Sequence, residues 1–267
     1  MQTTPVMEQM KTLIKELKLG GMYDVIEHRL SEARHGQLSA HELLLSLLLD
    51  EKNRRDQIRY DRALKKATLG QEASLEVVDW DSPLTLHRTT IEGLASCSFV
   101  PMKENILITG PCGVGKSFVA ALLGHHAVRQ KYNVTYKVAN ALFDDLYASR
   151  ADGSHRGKIK ALSAVDILII DDWALTSSAV TTAQDFYEIV SSRYEKGSTI
   201  ITSQRAVNEW HDYLAEPLLA DACMDRLVHN ALRVEIVAEK SYREIKAEKK
   251  KQSAKRSLKT AEKESKK

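Results

Sequence analysis

The sequence predicts an α/β protein: a core built on a five-stranded, mainly parallel sheet, preceded by a small all-helical amino-terminal domain. Three observations carry that expectation. Helical patterning fills residues 1 to about 70, short β-rich runs alternate with helical segments from about residue 101, and the glycine-rich stretch GPCGVGKS at 110–117 joins the first such run to a helix. Strands alternating with helices form parallel sheets covered on both faces.

In chain order, VMEQMKTLIKELKL reads as a first helix, Gly20-Gly21 as a breaker, MYDVIEHRLSEARH as a second helix and Gly36 as another break. Ser39, followed three residues later by Glu42, is a capping box that opens a longer third helix. Leucines on nearly every side of residues 43–49 predict burial against the other two helices. Residues 71–100, with Trp80, Asp81, Ser82 and Pro83, read as a connector. Strands are expected at NILIT (105–109), VTYKV (134–138), DILII (166–170), STIITS (198–203) and LRVEIV (232–237), with helices at 117–130, 140–149, 182–195 and 218–229. The tail, 246–267, has no aromatics and reads as a frayed helix or disordered chain. The domain plan is thus 1–70, 71–100, 101–245 and 246–267.

Composition narrows the function classes. With 267 residues, 43% of them hydrophobic, the chain can bury a sizeable core and a smaller second one. Its longest apolar stretch, LLLSLLL at 43–49, is far short of the ~20 residues of a membrane-spanning helix. The first residues carry acids and lack the order of a secretory signal, so a cytoplasmic location is expected. Cys97, Cys112 and Cys223 form no C-x-x-C pair, which suggests reduced thiols without a zinc site. The net charge of +3 is unevenly spread: residues 246–267 hold ten Lys or Arg against three Glu, and residues 51–66, including Arg54, Arg55 and Arg59, hold seven bases against three acids. Such runs either contact phosphate backbones or form solvated helix faces.

The residues 110–117 fit G-x-x-x-x-G-K-[ST] at every fixed position. A strand, a glycine loop and a helix in that order present free backbone N–H groups and a positive helix end to a triphosphate. Gly110, Pro111, Cys112, Gly113, Val114, Gly115, Lys116 and Ser117 would then cradle ATP, Lys116 reaching the β- and γ-phosphates and Ser117 supplying a hydroxyl to Mg²⁺. DILIIDDW, 166–173, ends a buried strand in acids where open α/β sheets bind ligands. Asp171 is read as the Mg²⁺-side carboxylate and Asp172 as the group that orients or deprotonates water. Loop and acids together define a P-loop NTPase. STIITSQR, 198–205, would bring Thr202, Ser203 or Gln204 to the γ-phosphate, with Gln204 preferred. Arg226, late in a helix before the last strand, is the candidate arginine finger supplied in trans, with Arg193 and Arg205 as competitors. Arg243 is a weaker candidate for a lid arginine.

GPCGVGKS, ILIIDDW, TIITSQ and LADACMDRLVHNALRVEI, in that order and after a basic helical domain, resemble the IstB-type helper ATPases of insertion-sequence transposition. These are similar in turn to the helicase loader DnaC, within the initiator and loader branch of the AAA+ proteins. The resemblance spans the chain to about residue 245. It implies an ATP-dependent homo-oligomer that binds and deforms double-stranded DNA and stimulates a partner transposase, with Lys116, Asp171 and Arg226 as its loop lysine, metal acid and finger. The branch also inserts a helical element after the second strand that lines the DNA channel. Residues 140–163 would fill that role, with Arg150, His155, Arg156, Lys158 and Lys160 facing phosphates. Asp171-Asp172 stands where many relatives have Asp-Glu, and Gln204 where many have Asn. A replicative helicase as partner, or an ATP-binding scaffold with very slow hydrolysis, are the alternatives. A small-molecule kinase is disfavoured, since no acceptor site or lid is suggested.

Overall fold

The computed structural model describes residues 5–69, 73–78, 80, 87–176, 179–237 and 244. Asp81, Ser82, Pro83, Arg243 and the basic tail lie outside the described residues. The chain divides into two compact units, Met1–Ala63 and Leu64–Lys267.

The first unit holds α1 (Pro5–Glu16), α2 (Gly20–Arg34) and most of α3 (Ala40–Ala67). The division falls inside α3, a continuous helix whose sequence marks no break there, whereas the sequence reading puts the boundary near residue 70. The capping box forms: the Ser39 N–H donates to Glu42 Oε2 at 2.7 Å and the Glu42 N–H to Ser39 Oγ at 3.3 Å. Gly20-Gly21 does more than separate helices, because it opens α2. A Cβ on Gly21 would lie 2.6 Å from Glu51 Cα and 2.7 Å from the Asp50 carbonyl, so only glycine lets α2 meet the α3 backbone so closely. The Glu51 carboxylate accepts the Gly21 N–H at 2.6 Å, answering one of the unpaired donors at the start of α2.

The expected burial of the α3 leucines is corrected by the structure. Leu44, Leu45, Leu48 and Leu49 are 45–59% exposed. Asp50 and Glu51, at helical spacing from Leu43 and Leu47, carry the contact with α2, where the Nε of Arg29 donates to Asp50 Oδ2 at 2.9 Å. Close backbone approach and charge set that pairing, which leaves positions 44, 45, 48 and 49 turned away from α2.

The second unit contains α4 (Arg88–Ala95), β1 (Asn105–Thr109), α5 (Lys116–Arg129), β2 (Val134–Val138), α6 (Ala139–Ala148), α7 (His155–Ser163), β3 (Ile167–Trp173), α8 (Val180–Arg193), β4 (Ser198–Ser203), α9 (Trp210–Tyr213), α10 (Pro217–Val228) and β5 (Ala231–Glu235). The sheet order is β2-β3-β4-β1-β5 and every pairing is parallel. Central strands covered on both faces need continuous apolar runs, and Ile106–Ile108, Ile167–Ile170, Ile200 and Ile201 are fully buried. The segment read as a connector belongs to this core: Ile91, Leu94, Cys97, Phe99 and Val100 are buried. At the carboxyl end of β3, Trp173 stacks on Phe186 at 3.9 Å between ring centroids and meets Phe143 at 5.6 Å. That cluster anchors the strand just beyond its two acids.

Candidate active site

The loop from β1 to α5 follows the carboxyl end of β1. Gly110 has φ +148°, and a Cβ there would lie 2.3 Å from the Ile236 carbonyl oxygen. The loop therefore starts with a residue no side chain can replace. Gly115 is the N-cap of α5, so the helix begins at Lys116 with its first N–H groups directed to the loop. Val114 is buried and holds the loop to the core, whereas Pro111 and Cys112 are exposed. Lys116 is only 5% exposed, and its Nζ donates to the Pro111 carbonyl at 2.8 Å across the loop. Burial lowers the Lys116 pKa, and the nearby Asp172, Cys112 and Asp171 act against that shift. Ser117 follows in the first turn, half-buried.

The acids sit on a distortion of β3. Ile170 pairs with Ile201 and Trp173 with Ser203, so Asp171 and Asp172 together oppose the single residue Thr202. This is a β-bulge, a device that re-aims side chains beside active sites. Asp172 takes the extra step, with φ +55°, a conformation Asp tolerates better than most residues. Fully buried Thr202 secures both acids: its hydroxyl donates to Asp171 Oδ1, and its oxygen accepts the Asp172 N–H at 3.0 Å. The second oxygen of Asp171, a residue only 4% exposed, accepts a hydrogen bond from the Tyr136 hydroxyl of β2. Burial, reinforced by the bond to Asp171, pushes the Tyr136 phenol pKa up and keeps it a donor. Loop, acids and Thr202 thus converge at the carboxyl edge of neighbouring strands, where open α/β sheets bind ligands. Buried Lys116 feels the charge of Asp172 and Asp171 and is followed directly by Ser117, and an ammonium, a hydroxyl and a buried carboxylate are a donor set that fits a triphosphate with its divalent cation.

The remaining candidates separate. Gln204 is exposed just past the end of β4, and Ser203 is bonded to the Trp173 carbonyl at 2.8 Å. Arg226 on α10 is half-buried, with Nη1 on the Ala222 carbonyl at 2.8 Å and its guanidinium 5.6 Å from the Tyr187 ring centre. Arg205 is half-exposed and donates to the Ala174 carbonyl at 2.9 Å. Arg193, the other competitor, is 1% exposed and spends its guanidinium on Thr199 Oγ1 and on the Leu162, Val165 and Ser198 carbonyls. Burial pushes its pKa down to about 10. It is an internal brace and has no free face for a neighbour.

Residues 140–163 form α6, a turn and α7. Arg150 clasps Asp185 of α8 with two bonds, 2.9 and 2.6 Å, and His155 Nε2 lies 2.8 Å from the same carboxylate. Asp185 is 1% exposed. With Glu188, these groups approach metal-ligand spacing, but the Arg150 guanidinium already supplies the cation. Lys158 bonds Asp145 at 2.6 Å, whereas Arg156 and Lys160 are exposed and, among the described residues, pair with no carboxylate. In the first unit, Arg54 pairs with Asp24 at 2.9 Å and Arg55 with Glu51 at 2.6 Å; Arg59 is exposed. Arg54 and Arg55 line a cleft of about 390 Å³ with Lys15, Lys18, Tyr23 and Ile58.

Sequence reasoning missed Tyr136 and Asp185. A polar aromatic in the strand beside the acidic one was the available signal for Tyr136; nothing in the sequence ties Asp185 to Arg150, 35 residues earlier.

A family model described as IstB-like ATP binding protein matches residues 12–253. The chain belongs to this family. Among its relatives are the insertion sequence ATP-binding protein y4pL of Sinorhizobium fredii, 37% identical over 88% of this chain and 94% of that one, and the insertion sequence IS21 ATP-binding protein of Pseudomonas aeruginosa, 30% identical over 89% of each. The IstB-like chain also resembles solved structures of the AAA+ fold. DnaI matches with a TM-score of 0.53 at 25% identity, over 62% of this chain and 91% of that one. AMPPCP-bound DnaA from Aquifex aeolicus matches with a TM-score of 0.54 at 20% identity, over 66% of this chain and 53% of that one. No helix among the described residues is long and apolar enough to cross a membrane.

Proposed function

We propose that this IstB-family protein hydrolyses ATP as a homo-oligomer on double-stranded DNA and assists a partner transposase. The observation that carries the reading is the family match over residues 12–253, whose relatives are named as insertion sequence ATP-binding proteins. Lys116 leaves the Pro111 carbonyl to counter the charge of the β- and γ-phosphates. Ser117 and Asp171 hold Mg²⁺, which when bound neutralises charge on the phosphate oxygens. Asp172 and Gln204 orient the attacking water, and Arg226 of a neighbouring copy stabilises charge on the transferred group. Arg59, Arg156 and Lys160 are the DNA-facing cations of this reading, because among the described residues no carboxylate takes up their charge. Arg54 and Arg55 remain candidates at the surface, while Arg150 and Lys158 first hold their own carboxylates.

Phosphate release with and without duplex DNA, combined with pull-down against a transposase, tests the reading. DNA-stimulated release and transposase capture are expected, and Lys116→Ala should abolish tight ATP binding because the triphosphate loses its main side-chain counter-charge. Capture of a replicative helicase instead would shift the reading to a loader, and release that stays negligible with DNA would leave an ATP-binding scaffold.

A further inference from the structure

We infer that Tyr136 is a positioning residue of the nucleotide site, its hydroxyl fixing the Asp171 carboxylate in the orientation that receives the metal ion. The inference rests on the reading of Asp171 as the metal-side acid.

Asp171 is held from both sides. Thr202 of β4 donates to Oδ1 and Tyr136 of β2 donates to Oδ2, so three adjacent strands meet at one carboxylate. The β-bulge makes this second hold necessary. An acid on a regular strand has its direction set by the pleat, but Asp171 lies where the register slips against β4. Thr202 must serve two residues at once, Asp171 through its proton and Asp172 through its oxygen. One hydroxyl on one oxygen still leaves the carboxylate plane free to swing. A second donor on the other oxygen fixes the plane. Tyr136 can deliver that donor because β2 pairs with β3 in register, Tyr136 opposite Ile169 and Val138 opposite Asp171, and the phenol spans the offset along the strand. Its own backbone is tied down in turn, the Thr68 hydroxyl donating to the Tyr136 carbonyl at 2.8 Å.

Two effects of losing the hydroxyl oppose each other. A carboxylate with one donor fewer is a stronger base, which favours metal binding; a carboxylate free to rotate must be ordered on each binding event, which disfavours it. In metal sites, removing such an orienting partner costs about 10- to 100-fold in affinity, so orientation wins.

The test is Tyr136→Phe, which keeps the ring and removes only the hydroxyl. Binding of a fluorescent ATP analogue is titrated in excess EDTA and then against Mg²⁺, alongside a thermal melt. The expected result is a metal-free affinity within about 2-fold of the parent, since the loop is untouched, and a Mg²⁺ midpoint about 10-fold higher. A purely structural role would lower the melting temperature and leave the Mg²⁺ midpoint in place. Asp171→Asn run in parallel separates the two layers. If Asp171→Asn raises the midpoint and Tyr136→Phe does not, the inference is overturned while the site reading stands. If neither moves it, the assignment of Asp171 fails and takes the inference with it.

Discussion

At the scale of single residues, the site is a set of charges held by short polar contacts inside an apolar sheet. Lys116 and Asp171 are both buried, and each is engaged by the chain itself: the lysine by its own loop carbonyl, the acid by two hydroxyls. Such satisfaction lets charged groups wait in a core without the full cost of desolvation. The cysteines give an independent probe of the loop. Burial pushes Cys97 up to about 11 and Cys223 up to about 12, whereas Cys112 is exposed in the phosphate loop. At pH 8 a thiol-reactive dye should therefore modify one cysteine per chain rapidly and the other two only in denaturant. Saturating ATP should slow the rapid phase. Rapid reaction indifferent to ATP would place the nucleotide elsewhere.

At the scale of elements, two features depend on residues far apart in sequence. The bulge in β3 sets Asp171 and Asp172 against Thr202, which bonds both, and the aromatic cluster at Trp173 anchors the strand beyond it. The turn between α6 and α7 is fastened to α8 by Arg150, His155 and Asp185. Asp185→Asn should leave the Arg150 guanidinium facing a neutral partner, a change that costs about 3–5 kcal/mol when both partners are fully enclosed. Arg150 is 34% exposed and water can reach it, so the lower end, about 3 kcal/mol, is expected from chemical denaturation. A loss below about 1 kcal/mol would mean the clasp does not hold the turn. Lys158→Ala, which breaks an exposed pair with Asp145, should barely shift the same curve.

At the scale of the whole molecule, the predictions concern copies acting together and the approach of DNA. Arg226→Ala should keep ATP binding in the monomer and lower turnover by about 10³-fold, the usual scale for a finger arginine. Mixed with Lys116→Ala protein it should regain part of that turnover, since each variant contributes what the other lacks; a mixture no faster than its parts would speak against a role in trans. DNA affinity should fall with salt, and charge reversal at Arg59, Arg156 or Lys160 should reduce the log–log slope by about 0.9 for each phosphate no longer neutralised. If those reversals leave the slope alone and only removal of residues 246–267 changes it, the basic tail carries the DNA.

Much of this was legible in the residues themselves. Short-range rules decided α1, α2, α3, α5, α6, α8 and α10, the capping box at Ser39, the phosphate loop and the strands, because each depends on neighbours within a few positions: a periodicity, a cap, a glycine that must accept positive φ. The parallel sheet followed from the alternation alone. Pairings across the chain were not legible, since periodicity records which face of a segment is apolar and not what it will meet. Hence Leu44, Leu45, Leu48 and Leu49 of α3 proved exposed, Gly21 proved a point of close backbone approach to α3, and Arg193, read as a candidate finger, proved a brace. The same limit hid Tyr136 and Asp185. Their partners lie 35 residues away in each case, and only the folding of β2 against β3, and of the α6–α7 turn against α8, brings those charges and hydroxyls within bonding distance.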